Sequence, residues 1–315
     1  MMAAVLTRTG TVPTHTDFPD PEPGDGRVIV DITAAGVHHL DLTRASGAFG
    51  APETLPYVIG ADGVGRTGDG RRVFFTDPVS PHGSWAERTL VPEENLLDLA
   101  DGVDDVTAAA LGNTGLAAWL ALTWRANLQP GETVLVLGAT GALGSVAVQI
   151  AKALGAGLVV AADRDPGRLT RALGLGADAA VTITPDTDLT AGFNRVAGDR
   201  GFDVIIDPLW GAPALAAMHA AAQRARHIQI GQSAGPTIEL PAGLVRGARL
   251  DLLGFAHIDP PSEVRREAYR KLTELAADGA LRVDTLAVPL SDLGKAWELQ
   301  QQGAPGKLVL TPQPR

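Results

Sequence analysis

Short apolar stretches separated by Gly, Pro and Asp fill the first third of this chain; later, such stretches alternate with segments in which Ala, Leu and Val recur at helical spacing. Residues 27–34 (R-V-I-V-D-I-T-A) alternate as a half-buried strand does, and residues 72–75 and 86–91 also read as strands. Residues 19–26 (P-D-P-E-P-G-D-G) make a turn-rich connector. This part is expected to be mostly β, as a small barrel. Residues 104–125 then read as helical. From residue 133 the pattern predicts strands at 133–137, 158–162, 180–184, 202–207, 227–230 and 250–254. Helices are expected near 168–173, over 211–222, over 261–277 (opened by Pro-Pro-Ser-Glu and closed by Asp278-Gly279) and over 291–301, with a last strand at 307–310. Strand–helix alternation of this kind implies a doubly wound parallel sheet.

Residues 133–163 carry the sharpest chemical signal. An apolar strand runs into Gly138, Ala139, Thr140, Gly141, Ala142, Leu143 and Gly144, an amphipathic helix follows, and a second apolar strand ends at Asp163. The spacing is G-x-x-G-x-x-G rather than the commoner G-x-G-x-x-G. A glycine at the turn permits an unusual backbone angle, one in the middle lets a pyrophosphate approach, and one in the first helical turn lets helix and strand pack closely. The free N–H groups and helix dipole at 142–145 then face the anion. Asp163, 19 residues past Gly144, stands where an acid grips a ribose hydroxyl. Asp163 points to NADH, whereas Arg164 and Arg168 can pair the 2′-phosphate of NADPH. A βαβ unit without ligand is the plain alternative. A membrane span is disfavoured by Gln149, Lys152 and the glycines.

Composition narrows the rest. At 315 residues there is room for two domains, and 45% apolar content supports real cores. A net charge of −10 and the lack of a basic stripe argue against a nucleic-acid partner. Cysteine is absent, which excludes disulfides, thiolate nucleophiles and thiolate metal ligands. The first ten residues, M-M-A-A-V-L-T-R-T-G, have no apolar core of signal-peptide length, so the cytoplasm is the expected compartment and no membrane partner is expected.

The chain resembles the medium-chain dehydrogenase/reductase superfamily, in its zinc-independent quinone oxidoreductase (zeta-crystallin-like) branch. The resemblance rests on A-A-G-V-H-H-L-D-L (34–42), L-P-Y-V-I-G-A-D-G-V-G (55–65), G-S-W-A-E-R-T-L-V-P (83–92), N-T-G-L-A-A-W (113–119), the glycine fingerprint, D-P-L-W-G (207–211), I-G-Q-S-A-G (230–235) and G-K-L-V-L (306–310), in that order. It implies an α/β architecture: a GroES-like β-barrel catalytic domain over 1–112 and 286–315, and a Rossmann NAD(P)-binding domain over 113–285. It also implies a homodimer through Rossmann edge strands, here around 250–254, and NADPH as cofactor, with NADH the alternative. Zinc members of the superfamily have a Cys where this chain has His38, and a His-Glu pair where it has Ala61-Asp62, so no metal is expected.

The same resemblance places His38 and Asp41 at the catalytic centre, where relatives commonly have an Asn in place of His38. His38 can donate a proton or hydrogen bond, or only shape the pocket. Thr114, Gly231, Gln232, Phe255 and Ala256 match positions around the nicotinamide, and Asp207 and Trp210 follow a strand end on the ligand-facing edge. Enoyl-reductase relatives place a Tyr proton donor near Phe49, which cannot donate; Tyr57 matches a packing position.

The implied reaction is hydride transfer to a quinone or α,β-unsaturated carbonyl. The alternatives are a biosynthetic tailoring or enoyl reductase of the same fold and a weakly catalytic cofactor-binding protein. One motif points elsewhere. Gly231-Gln232-Ser233-Ala234-Gly235 satisfies the hydrolase pattern G-x-S-x-G, with Asp251 and His257 following in hydrolase order. That elbow needs a helix directly after the serine, and the Pro236 that follows opposes one.

Overall fold

The computed structural model describes residues 1–48, 50, 52 and 54–312. Two compact units are present: Met1–Asn113 together with the chain from Ser262 onward, and Thr114–Pro261. The chain thus returns to the first unit at Ser262, ahead of the residue 286 boundary expected from sequence. The reason lies in the helix Ser262–Ala277, whose Tyr269 is fully buried, stacks on Phe74 at 4.5 Å and donates its hydroxyl to the Ala108 carbonyl at 2.9 Å.

The first unit is built on β-sheet. Met2–Leu6 lies between Thr14–Asp17 and Tyr57–Val58 in a three-stranded sheet. A larger sheet runs Thr285–Pro289, Lys307–Thr311, Arg27–Gly36, Asp62–Thr67, Arg72–Thr76 and Leu96–Asp98, and Arg88–Pro92 also pairs with Arg27–Gly36. Arg27–Gly36 therefore has neighbours on both edges, which explains its buried inner face at Val30, Ile32, Ala34 and Ala35. Its far end leads directly into the helix His39–Ser46, which apolar periodicity did not mark because the segment H-L-D-L-T-R-A-S is half polar. Lys307–Thr311 pairs with that same end, Val309 opposite Gly36 and Leu310 opposite Ala35.

The second unit holds a six-stranded, wholly parallel sheet. Its strands are, in chain order, Thr133–Leu137, Leu158–Asp163, Ala179–Thr182, Phe202–Asp207, Ala221–Gln229 and Asp251–Gly254, arranged in space as third, second, first, fourth, fifth, sixth. This is the doubly wound order, with its reversal between the first and fourth strands. The central strand Thr133–Leu137 is buried at every position, as parallel strands covered on both faces are. Two expectations shift. The helix Gly211–His219 ends early, and its alanine tail joins the longer strand Ala221–Gln229. Asp105–Arg125, 21 residues with an 18-residue window of mean hydropathy 1.3, is long and apolar enough to cross a membrane, and 72% of that window is buried within the protein, as in a core helix.

Tyr269→Phe is expected to lower stability by about 1 kcal/mol, the typical worth of one buried hydrogen bond. A shifted urea midpoint with an unchanged slope is the readout; an unmoved midpoint would show that the hydroxyl contributes nothing.

Candidate active site

In the second unit the glycine segment sits at the sheet reversal. Gly138 ends the first strand with φ 63°, and the helix Ala142–Ala153 begins after Gly141 with no side chain capping its first N–H groups. A Cβ on Gly144 would lie 2.2 Å from the Gly138 carbonyl oxygen and 2.6 Å from the Ala139 Cα, so only glycine lets the helix start this close to the strand. A Cβ on Gly138 would meet Leu209 and Pro208 at 3.2 and 3.3 Å, so the turn after the fourth strand forms the other wall of the crevice. Uncapped N–H groups at a helix start beside a bare main chain fit a diphosphate.

Asp163 ends the second strand as expected, but its carboxylate is occupied. Oδ2 accepts from the Thr140 N–H at 2.9 Å and the Thr140 hydroxyl at 2.7 Å, and Oδ1 accepts from the Arg164 N–H at 2.7 Å. It thereby ties the glycine turn to the neighbouring strand. Arg164 is exposed, and Arg168 lies 3.7 Å from Asp165, which caps the next helix through the N–H groups of Gly167 and Arg168.

Asp207, expected to bind cofactor, is fully buried and turned inward. Oδ1 accepts from the N–H groups of Leu209 and Trp210, both at 2.8 Å, and Oδ2 pairs with His227 Nε2 at 2.8 Å. Both oxygens are spent on the turn after the fourth strand, so Asp207 shapes that wall rather than touching a ligand. Trp210 is held at φ 56° with its ring edge-on to His227. Gly231 packs on the Pro208 carbonyl, Gln232 is exposed, Phe255 is buried against Trp124, Ala256 is exposed, and Thr114 is buried. Ser233 donates to the Pro208 carbonyl at 3.2 Å, and no helix follows until Ala242–Ala248, so the hydrolase elbow is absent.

The first unit gathers four titratable side chains in one buried corner. His38 Nε2 is 2.9 Å from Asp62 Oδ1, and His38 Nδ1 is 2.8 Å from Lys307 Nζ, which also donates to the Val37 carbonyl. With Lys307 as an ammonium, Nδ1 accepts and Nε2 carries the hydrogen donated to Asp62; this tautomer is assigned from the network. Asp62 Oδ2 accepts from the Asn113 N–H at 3.1 Å. A Cβ on Gly36 would fall 2.5 Å from Asp62 Oδ1 and 2.7 Å from His38 Nε2, so the pair needs a glycine there. Asp41 is fully buried, and its Oδ2 accepts the His38 N–H at 2.8 Å, which is the reach-back half of a capping box for His39–Ser46.

The charges answer to this packing. Burial pushes the Asp41 carboxyl up, against the opposing pull of His38 and Lys307. Burial alone would raise Asp62 too, but the electrostatic pull and hydrogen bond of His38, with Lys307 and the Asn113 N–H, hold it below its usual value. Burial lowers Lys307 from 10.5 to about 8, with Asp62 and Asp41 pulling the other way. Sequence reasoning did not single out Lys307 as a site residue, although it stands inside the G-K-L-V-L segment as a lysine opening an otherwise apolar strand. The corner does not fit zinc: both His38 nitrogens are engaged, Ala61 offers no donor, and an ammonium already lies against the imidazole. The Phe49 position lies outside the described residues.

Residues 142–278 match the zinc-binding dehydrogenase domain family. The quinone oxidoreductase of Thermus thermophilus, solved alone and in complex with NADPH, matches at 31% identity over 99% of this chain and 100% of that one, with a TM-score of 0.81. The chain belongs to the quinone oxidoreductase-like medium-chain dehydrogenases/reductases. It is an oxidoreductase with a Rossmann domain and a GroES-like domain. Human quinone oxidoreductase is 27% identical over 94% of this chain and 92% of its own length. The NAD-dependent alcohol dehydrogenase of Sulfolobus acidocaldarius is 27% identical over 98% and 99%.

Between pH 8 and 10.5 the unfolded chain holds a proton on Lys307 that the folded chain has released, so this group makes stability rise with pH across that window. Lys307→Met lacks the effect. The stability difference between wild type and variant is therefore expected to move in favour of wild type from about pH 8 toward pH 10.5, followed by urea midpoints. A difference constant over that range would refute the buried ammonium.

Proposed function

We propose that this oxidoreductase transfers hydride from NADPH to a quinone or α,β-unsaturated carbonyl without a metal. The observation that carries the reading is the His38 corner: a position that serves metal in zinc relatives is closed here by an internal Asp62–His38–Lys307 chain of hydrogen bonds. When bound, the reduced nicotinamide supplies the hydride, and the protein supplies position and electrostatics. The N–H groups from Gly141 to Gly144 hold the diphosphate. Thr114, Gly231, Gln232, Phe255 and Ala256 flank the nicotinamide, as the family resemblance implies.

The choice of NADPH draws on the state of Asp163. Three hydrogen bonds already engage its carboxylate, which leaves it less free to grip a ribose hydroxyl, and the guanidinium groups of Arg164 and Arg168 stand exposed just beyond it. The NADPH complex of the Thermus relative agrees with this choice.

His38 and Asp41 take supporting parts in this reading. With both ring nitrogens bound, His38 fixes the pocket wall, Asp41 fixes the main chain at His38, and the product proton comes from solvent. The protein works in the cytoplasm as a homodimer. The edge strand Asp251–Gly254, which pairs on one side only and exposes Leu252, provides the contact.

A panel of quinones, enones and aldehydes with each reduced cofactor tests the assignment. Oxidation of NADPH by quinones or enones is expected, with the larger kcat/KM for NADPH than for NADH; a preference for NADH would overturn the cofactor choice. Dialysis against EDTA is expected to leave the rate unchanged, and a rate that fell and returned with zinc would refute the metal-free reading. Gly141→Asp has room to fold, because its Cβ would meet only the Gly138 carbonyl at 3.3 Å, yet it sets a carboxylate against the diphosphate. Cofactor binding by fluorescence titration is expected to weaken at least about tenfold, roughly 1.4 kcal/mol; an unchanged affinity would contradict the crevice.

A further inference from the structure

Inside the parallel sheet of the second unit, one side chain is polar where the fold alone would accept an apolar one. His227 lies within Ala221–Gln229, registered against Ile205 on one side and Leu252 on the other, and is fully buried. Its Nε2 meets Asp207 Oδ2 at 2.8 Å, and its Nδ1 is buried with no hydrogen-bond partner among the described residues. The hydrogen is therefore assigned to Nε2, where an acceptor awaits it, and the lone pair to Nδ1. Leaving a ring nitrogen unpaired inside a sheet is costly, and an aliphatic side chain would avoid that cost.

The imidazole holds a strained turn. Trp210 at φ 56° and Gly211 at φ 64° are consecutive left-handed residues, a conformation that a tryptophan resists. Asp207 Oδ1 accepts from the N–H groups of Leu209 and Trp210, and the Trp210 ring returns edge-on to His227 with centroids 6.1 Å apart. The Ala234 N–H donates to the Leu209 carbonyl at 2.8 Å and ties the turn to the loop after the fifth strand. Pro208 and Leu209 then face Gly138 across the crevice. In a doubly wound sheet the first three strands serve one mononucleotide of the cofactor and the last three serve the other. The glycine turn and Asp163 belong to the first half, and the turn at 207–211 belongs to the second.

We propose that His227 is a positioning residue for the nicotinamide half of the cofactor. It touches no ligand. Its Nε2–H holds Asp207, and through Asp207 it holds the turn at 207–211 in the shape that receives the second mononucleotide. The proposal rests on the reductase reading for the identity of the cofactor. It separates the two halves of the nucleotide: the adenosine half is bound without help from His227, and the nicotinamide half depends on it.

The test titrates NADP⁺ and adenosine 2′,5′-bisphosphate calorimetrically into wild type, His227→Leu and His227→Gln. Should the cofactor without the 2′-phosphate bind tighter, NAD⁺ and AMP take their places. His227→Leu removes the donor to Asp207, whereas the glutamine amide can stand in for Nε2–H. His227→Leu is expected to weaken NADP⁺ at least about tenfold and to leave the bisphosphate within about twofold of wild type, and His227→Gln is expected to restore most of the loss. Equal affinities in all three proteins overturn the proposal. So do parallel losses for both ligands with a lowered melting temperature, or a loss in His227→Gln as large as in His227→Leu. Should a variant fail to fold, wild type with ¹⁵N-labelled histidine decides. Its His227 nitrogen signals are expected to show hydrogen on Nε2 and to shift with NADP⁺ but not with the bisphosphate; hydrogen on Nδ1, or no shift with NADP⁺, overturns the proposal. Wild type that binds neither compound would overturn the cofactor reading and this proposal with it, whereas variants that bind both as wild type does would remove the proposal alone.

Discussion

The ammonium of Lys307, seated on the Val37 carbonyl and the Nδ1 edge of His38, joins the last strand of the first unit to the corner where Arg27–Gly36 runs into its helix. Burying an ammonium is costly unless it is paired and hydrogen-bonded, and this one is held by one carbonyl, one imidazole and the field of two carboxylates. The imidazole is oriented from both edges as a result, and the Asp62 carboxylate is fixed between it and the Asn113 N–H. The bare Cα of Gly36 leaves the space in which this happens. Each member of the group depends on the others for its partner, so the corner stands or fails as a whole.

The second unit solves a different problem, that of presenting main-chain donors to an anion. Its sheet reversal brings the turn after Leu137 against the turn after Asp207, and two carboxylates hold those turns: Asp163 through Thr140, and Asp207 through the N–H groups of Leu209 and Trp210. Acids at strand ends are easily taken for ligand contacts. Here both are spent on the turns that border the crevice, and His227 in turn fixes Asp207 from inside the sheet.

How much of this could be read from sequence follows from how local each feature is. The glycine turn, the first two parallel strands and Asp163 lie within residues 133–163, and strand period, helix period and turn chemistry all agree there. His38 was visible as a candidate because the family resemblance places it at the catalytic centre. Its cationic partner was not, since Lys307 is 269 positions away and a lone lysine at a strand start reads as surface. The helix His39–Ser46 escaped notice because its buried side is short and includes Asp41.

The first unit takes its strands from both ends of the chain, and the whole second unit is threaded between them. During synthesis the second unit can leave the ribosome with all six of its strands before Lys307–Thr311 has been made. Until that strand arrives, the edge of Arg27–Gly36 near Ala35 lacks a partner and His38 lacks its cation. The second unit can thus mature first, and the first must wait with an open sheet edge, the kind of surface that chaperones cover in nascent proteins.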